Sequence, residues 1–116
     1  MAVSVEIWHN PRCSKSRATL ALLEEQGVGP VVRLYREDAP SEAEIREALE
    51  MLGLSALALV RTGEAVFMEL GLSKDSSEEA LIAAMAAHPI LIERPVVISG
   101  DKAALGRPPE SVLEIL

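Results

Sequence analysis

The stretch VSVEIWHNPRCSKSRATLALLEEQGVGPVVRLY, residues 3–35, predicts a strand, a helix and a second strand. Val3, Val5 and Ile7 stand at every second position, which is the period of a strand. A leucine-rich segment follows and stops at Gly27, a favoured residue just beyond a helix end. VVRLY is the second strand. A strand–helix–strand unit this short indicates parallel strands joined by a right-handed crossover.

The middle of the chain, residues 41–88, predicts only helices. Ser41 and Glu44 have the spacing of a capping box, and an apolar face and a glycine follow them. Ser76 and Glu79 repeat that spacing before EALIAAMAAH. Two shorter helices are predicted between these two, so this segment is expected to be a helical sub-domain.

The end of the chain returns to strands. PVVIS and KAAL flank Gly100-Asp101, a pair suited to a type II′ hairpin, and Pro108-Pro109 begins a predicted last helix. The order β-α-β, helical insert, β-β-α predicts an α/β thioredoxin-like fold with an inserted helical sub-domain. The predicted single domain 1–116 divides into a thioredoxin-like core, residues 1–40 and 89–116, and a helical insertion, about 41–88.

The chain is acidic, with 11 Lys and Arg against 18 Asp and Glu and a formal net charge of −7. This charge disfavours nucleic acid and anionic membranes as partners. No apolar run reaches the ~18 residues of a membrane span, and the N-terminus lacks a leader pattern. We therefore expect a cytoplasmic protein in which a thiol stays reduced. One Cys and two His are too few for a zinc site, so neither a metal nor a bound cofactor is expected.

Cys13, the only cysteine, lies among cations in this acidic chain. Arg12, Lys15 and Arg17 surround it, and it precedes a predicted helix. Cations and the N–H groups of a helix N-terminus lower the pKa of a thiol and bind oxyanions. The alternative is a buried structural cysteine, but polar residues such as those beside Cys13 are unfavourable in a hydrophobic core. Residues 13–16 form C-x-x-S without a resolving cysteine, so a second thiol must come from another molecule.

Three further residues are candidates for a site around this sulfur. Arg94 precedes Pro95, which occupies the place of the cis-proline that faces the reactive cysteine in thioredoxin-like folds. A guanidinium suits a tetrahedral oxyanion because it donates two hydrogen bonds at once. His9, when protonated, would favour the thiolate, or it could bond to a local carbonyl. Ser16 could bond to the sulfur or cap the helix.

Two segments resemble one family. HNPRCSKSR, residues 9–17, resembles the H-N-P-x-C-x-x-S-R signature of ArsC-type, glutaredoxin-linked arsenate reductases. HPILIERPVVISGDKAALGRPPESVLEIL, residues 88–116, resembles that family's closing segment, and the chain is similar to a shorter, arsenate-reductase-like subgroup. The resemblance implies a thioredoxin-like fold, arsenate or a similar oxyanion as substrate, and glutathione and glutaredoxin as reductants.

The resemblance also implies roles for individual residues. Cys13 would be the nucleophile, and His9 would lower the pKa of its thiol. The three arginines that would hold the oxyanion are Arg61, Arg94 and Arg107. Together with the residues considered above, the complete set of candidate site residues is catalytic Cys13, His9 and Ser16, substrate-binding Arg61, Arg94 and Arg107, and supporting Asn10, Arg17 and Pro95.

Two alternatives remain open at this point. One is a thiol oxidoreductase with another substrate, such as a glutathionylated protein. The other is a regulator like Spx, a relative of the same fold that binds RNA polymerase. Spx uses a cysteine pair as a redox switch, and this chain has no pair.

Overall fold

The computed structural model describes residues 4–116, so Val3, predicted in the first strand, lies outside the described residues. The described strands are β1 (Val5–Trp8), β2 (Val31–Arg33), β3 (Val96–Ser99) and β4 (Lys102–Leu105). The described helices are α1 (Ser14–Glu25), α2 (Glu42–Leu52), α3 (Ala56–Leu59), α4 (Ala65–Glu69) and α5 (Glu78–Ala87), with 3-10 helices at Pro89–Leu91 and Pro109–Ile115. Over residues 4–116, every helix is too short or too polar to cross a membrane.

The strands form one sheet in the order β2-β1-β3-β4. β1 and β2 are parallel, as predicted, whereas β3 runs antiparallel to both β1 and β4. Trp8 pairs with Arg33 of β2 on one side and with Val96 of β3 on the other. Val96 in turn pairs with Leu105 of β4. Four segments therefore meet at this end of the sheet, those that start at His9, Leu34 and Gly106 and the one that finishes at Pro95. The strand order and directions confirm an α/β, thioredoxin-like fold.

The chain divides into two compact units. The first comprises Met1–Asp38 and Arg94–Leu116, and it contains the whole sheet. Its core is built by aliphatic side chains of β1, α1, β3 and the last 3-10 helix, with Ile7, Leu23 and Val97 fully buried. Burial of such side chains is the main stabilising contribution in a chain with only 3% aromatic residues.

The second unit, Ala39–Glu93, is helical. The predicted capping box is present, because the Ser41 hydroxyl accepts from the Glu44 N–H (3.1 Å) and the Glu44 carboxylate accepts from the Ser41 N–H (3.0 Å). α5 packs against α2 and α3, and Ile45 and Met85 are fully buried.

Two helices differ from the prediction, one in where it starts and one in its type. α5 is capped by Ser77 and not by Ser76, because the Ser76 hydroxyl accepts a hydrogen bond from an earlier backbone N–H and so belongs to the preceding turn. The last helix, Pro109–Ile115, is a 3-10 helix. Its first turn closes with a hydrogen bond from the Ser111 N–H to the Pro108 carbonyl, three residues back, as 3-10 geometry requires.

Gly106 follows β4 and passes through a space too narrow for a side chain. A Cβ at this position would lie 2.6 Å from Cγ of Pro95 and would overlap the hydroxyl of Thr19, which is fully buried in α1. The Gly106 N–H donates to the Pro95 carbonyl at 2.9 Å. Glycine therefore lets the end of β4 approach α1 and Pro95 closely, and Arg107 is the next residue.

We expect Gly106→Ala to lower the free energy of unfolding by about 1–3 kcal/mol, because the new methyl group must displace Thr19 and Pro95. Gly29→Ala is the matched control, since a Cβ there meets nothing within 4 Å, and its effect should stay within about 0.5 kcal/mol. Urea unfolding measures both. Equal stability of the two variants would contradict the close approach.

Candidate active site

The loop from His9 to Cys13, called here the Cys13 loop, is held by its own polar groups. The buried Asn10 accepts from the Arg12 N–H through Oδ1 (3.0 Å), and its carbonyl accepts from the Cys13 N–H (3.0 Å). The Arg17 guanidinium donates to the Pro11 carbonyl (2.9 Å). Asn10 and Arg17, which were predicted as supporting residues, thus fix the turn that leads into α1.

Cys13 is the N-cap residue of α1 and is 9% exposed. Burial raises the pKa of its thiol. The backbone N–H of Ser16, the guanidinium of Arg94 and the backbone N–H of Lys15 lower this pKa, and together they outweigh burial. The net result is a Cys13 pKa below the ordinary value of a thiol, which favours the nucleophilic thiolate.

Arg94 and Arg107 reach the sulfur from the ends of two neighbouring strands. Arg94 stands just before β3 and Arg107 just after β4, and the antiparallel pairing of these strands brings the two residues together. The Arg107 Nε donates to the Arg94 carbonyl at 2.8 Å, and its Nη2 lies 3.7 Å from Cys13 Sγ. The Arg94–Pro95 peptide bond is cis, as predicted. Two of the three predicted arginines therefore lie at the sulfur.

Arg61, the third predicted arginine, belongs to the second unit. Its guanidinium contacts two carboxylates there, with Nε 3.2 Å from Glu64 Oε1 and Nη1 3.3 Å from Glu93 Oε1. An oxyanion would have to compete with these carboxylates for the guanidinium. The predicted role of Arg61 in binding an oxyanion stays a prediction.

His9 is buried, and its Nδ1 shares a 2.6 Å hydrogen bond with the Ser16 hydroxyl. Burial lowers the pKa of His9, and the nearby positive charge of Arg17 lowers it further. The neutral imidazole is therefore favoured at neutral pH. The expectation of a protonated His9 that favours the thiolate does not fit this environment.

The Ser16 side chain takes neither of its two expected roles. Its hydroxyl bonds to His9 and accepts from the Asn10 N–H (3.0 Å), and the N-cap position of α1 is occupied by Cys13. Only the backbone N–H of Ser16 bonds to the sulfur. The buried His9–Ser16–Asn10 cluster thus ties the end of β1 to the first turn of α1 and positions the Cys13 loop.

We expect acid to destabilise the chain through His9. Because the pKa of His9 is lower in the folded state than in the unfolded state, where it is about 6.5, the unfolded chain takes up the proton first as the pH falls. His9 should therefore lower the free energy of unfolding below about pH 6.5. Urea unfolding of wild type and His9→Asn between about pH 8 and 5 measures this effect, and Asn removes the titration. A pH-independent difference between the two proteins would refute it.

A cleft of about 370 Å³ opens in the first unit, beside the Cys13 loop. Residues 9–12 form one wall, and the segment after β2 forms the other with Leu34, Arg36 and Glu37. We name it the Arg12/Arg36 cleft. The sequence reasoning missed Arg36 and Glu37, although parallel pairing of β1 and β2 places the residues after both strands at the same end of the sheet.

Comparison with known proteins places this site in a family. A model of the ArsC family matches residues 8–115. The structure titled arsenate reductase from Vibrio cholerae is 52% identical, with a TM-score of 0.95 and complete coverage of both chains. A Haemophilus influenzae protein named arsenate reductase is 47% identical over 98% of this chain and 100% of its own. An Escherichia coli K12 protein, called uncharacterized protein YfgD, is 53% identical over 100% of this chain and 99% of its own. The chain belongs to the ArsC family.

Proposed function

We propose that this protein reduces arsenate to arsenite, with Cys13 as the nucleophile and with glutathione and glutaredoxin supplying the electrons. The observation that carries the proposal is the position of the Cys13 sulfur, which contacts helix N–H groups and the guanidinium groups of Arg94 and Arg107. This arrangement can stabilise a thiolate and bind an oxyanion beside it. The relatives named arsenate reductase support arsenate as that oxyanion.

The first step forms a bond between Cys13 and arsenic. The thiolate attacks arsenic(V), a sulfur–arsenic bond forms, and one oxygen leaves as water after protonation. The oxidation state of arsenic does not change in this step. Arg94 and Arg107 would offset the negative charge of the oxyanion, which otherwise repels an anionic nucleophile.

The later steps transfer two electrons. The glutathione thiol displaces a second oxygen as water and forms its own sulfur–arsenic bond. A glutaredoxin thiolate then attacks the glutathione sulfur, and the electron pair of that sulfur–arsenic bond stays on arsenic, which becomes arsenic(III). Water hydrolyses the bond to Cys13, so that arsenite leaves and the thiol is restored. Because these donors are abundant where thiols are kept reduced, we place the reaction in the cytoplasm.

The test is an assay of the purified chain with arsenate, glutathione and glutaredoxin. One disulfide should form for each arsenite, first as the glutathione–glutaredoxin mixed disulfide, which free glutathione then converts to glutathione disulfide. Omission of either thiol should stop turnover. Arsenite formation no faster than in the protein-free mixture would overturn the proposal. Release of glutathione from a glutathionylated peptide under the same conditions would then favour a thiol oxidoreductase with another substrate.

A further inference from the structure

We propose that the Arg12/Arg36 cleft binds the glutathione molecule that attacks the Cys13–arsenic adduct. The inference rests on the proposed function, since it names the place from which the second thiol enters. It is carried by three features of the cleft: its charged side chains, their match to the ionic groups of glutathione, and the attachment of one wall to the backbone of Cys13.

The charged side chains of the cleft are not engaged in ion pairs. No ion pair found over residues 4–116 includes Arg12, Arg36 or Glu37, and all three are exposed. Arg33, three residues before Arg36, differs in this respect. Its Nε lies 3.4 Å from the Asp38 carboxylate, and its guanidinium lies 6.0 Å from the centre of the Trp8 ring. Arg33 therefore stabilises the fold, whereas Arg12 and Arg36 can bind a ligand.

The arrangement of charge in the cleft matches glutathione. The tripeptide carries a carboxylate and an ammonium group at its γ-glutamyl end and a second carboxylate at its glycine end. Arg36 and Glu37 are adjacent and would pair with the γ-glutamyl carboxylate and ammonium, while Arg12 on the opposite wall would pair with the glycine carboxylate. Leu34, which also lines the cleft, is 38% exposed and adds an apolar surface. The volume of about 370 Å³ is within the range of about 300–1,000 Å³ for small-ligand pockets.

One wall of the cleft leads directly into Cys13. Arg12 directly precedes Cys13, and the Cys13 N–H is bonded to the carbonyl of Asn10, another residue of the cleft wall. The guanidinium groups at the sulfur come from Arg94 and Arg107, which are not part of the cleft. Glutathione and the oxyanion would therefore use different arginines, and both could be bound at once.

The test is the binding of S-methylglutathione, which keeps the ionic groups but cannot react. Calorimetric titration of the full chain should show binding that is about tenfold weaker in Arg12→Glu and in Arg36→Glu. Lys102→Glu is the matched control, because it makes the same charge change on an exposed residue at the opposite end of the sheet. Its affinity should stay within twofold of wild type. Circular dichroism of each variant checks that the fold is kept.

Steady-state kinetics provides the second measurement. The KM for glutathione should rise about tenfold in Arg12→Glu and Arg36→Glu, while the KM for 2-mercaptoethanol, an uncharged thiol, should not change. Unchanged S-methylglutathione affinity in both variants, alongside normal arsenite formation by wild type, would overturn the cleft assignment and leave the proposed function standing. Binding that depends on both arginines without any arsenite formation would support the cleft and overturn the function.

Discussion

Replacing Cys13 by serine is expected to lower the rate of arsenite formation by about 10³-fold or more. A serine hydroxyl stays protonated at neutral pH, so the N–H groups of Lys15 and Ser16 and the Arg94 guanidinium would have no anionic nucleophile to stabilise. The fold should be kept, because serine is a favoured N-cap residue and Cys13 occupies that position of α1. Arsenite measured over time, with glutathione and glutaredoxin in excess, gives the rate.

Ser14→Ala is the matched control for this substitution. Ser14 is the first residue of α1, it is exposed, and its side chain has no assigned part in the site. This variant should keep the wild-type rate within about twofold, because the exposed Ser14 side chain is not among the groups that contact the sulfur and its replacement should change stability by no more than about 0.5 kcal/mol. A Cys13→Ser protein that still forms arsenite at a rate near that of Ser14→Ala would show that the sulfur is not the nucleophile.

Much of the fold could be predicted because its signals are local. The period of two in β1 and the glycine after α1 mark a short strand–helix–strand unit, and this unit predicts the observed parallel pairing of β1 and β2. Gly100 has a φ of 63°, whereas no described non-glycine residue, Asp101 included, has a positive φ, which fits the predicted type II′ turn. The sequence predicts the start of α5 one residue too early, because either of two adjacent serines can cap a helix. Only the preceding turn, which uses Ser76, decides between them.

The candidate site could be predicted only where its residues belong to short motifs. Cys13 stands in a loop with cations around it, and Arg94 is marked by the proline that follows it. Arg36 lines the cleft beside the Cys13 loop because β2 is paired in register with β1. A single sequence gives little indication of which residues are paired across neighbouring strands. The protonation state of His9 depends on burial and on the charge of Arg17, which are properties of the folded chain.

Replacing Arg94 by leucine is the second change with a large expected effect, and it should act in two ways. The pKa of the Cys13 thiol should rise, because Arg94 lowers it both through a hydrogen bond and through its charge, while burial would still raise it. The kcat/KM for arsenate should fall by about 10²-fold. Losses of this size are typical when one preorganised hydrogen-bond donor to an oxyanion is removed. The rate of alkylation by iodoacetamide against pH gives the pKa, and the arsenite assay gives kcat/KM.

Arg107→Leu separates the two effects. The Arg107 guanidinium also contacts the sulfur, with Nη2 at 3.7 Å, whereas Arg94 is the arginine named among the main groups that lower the pKa of Cys13. We therefore expect a smaller rise in the thiol pKa than in Arg94→Leu, together with a clear fall in kcat/KM for arsenate. Arg94→Lys should keep part of the low thiol pKa through its charge and should lose arsenate affinity, because an ammonium cannot donate the paired hydrogen bonds of a guanidinium. An alkylation midpoint in Arg94→Leu at or below that of wild type would mean that Arg94 does not stabilise the thiolate, and the oxyanion-binding role would then need another cation near the sulfur.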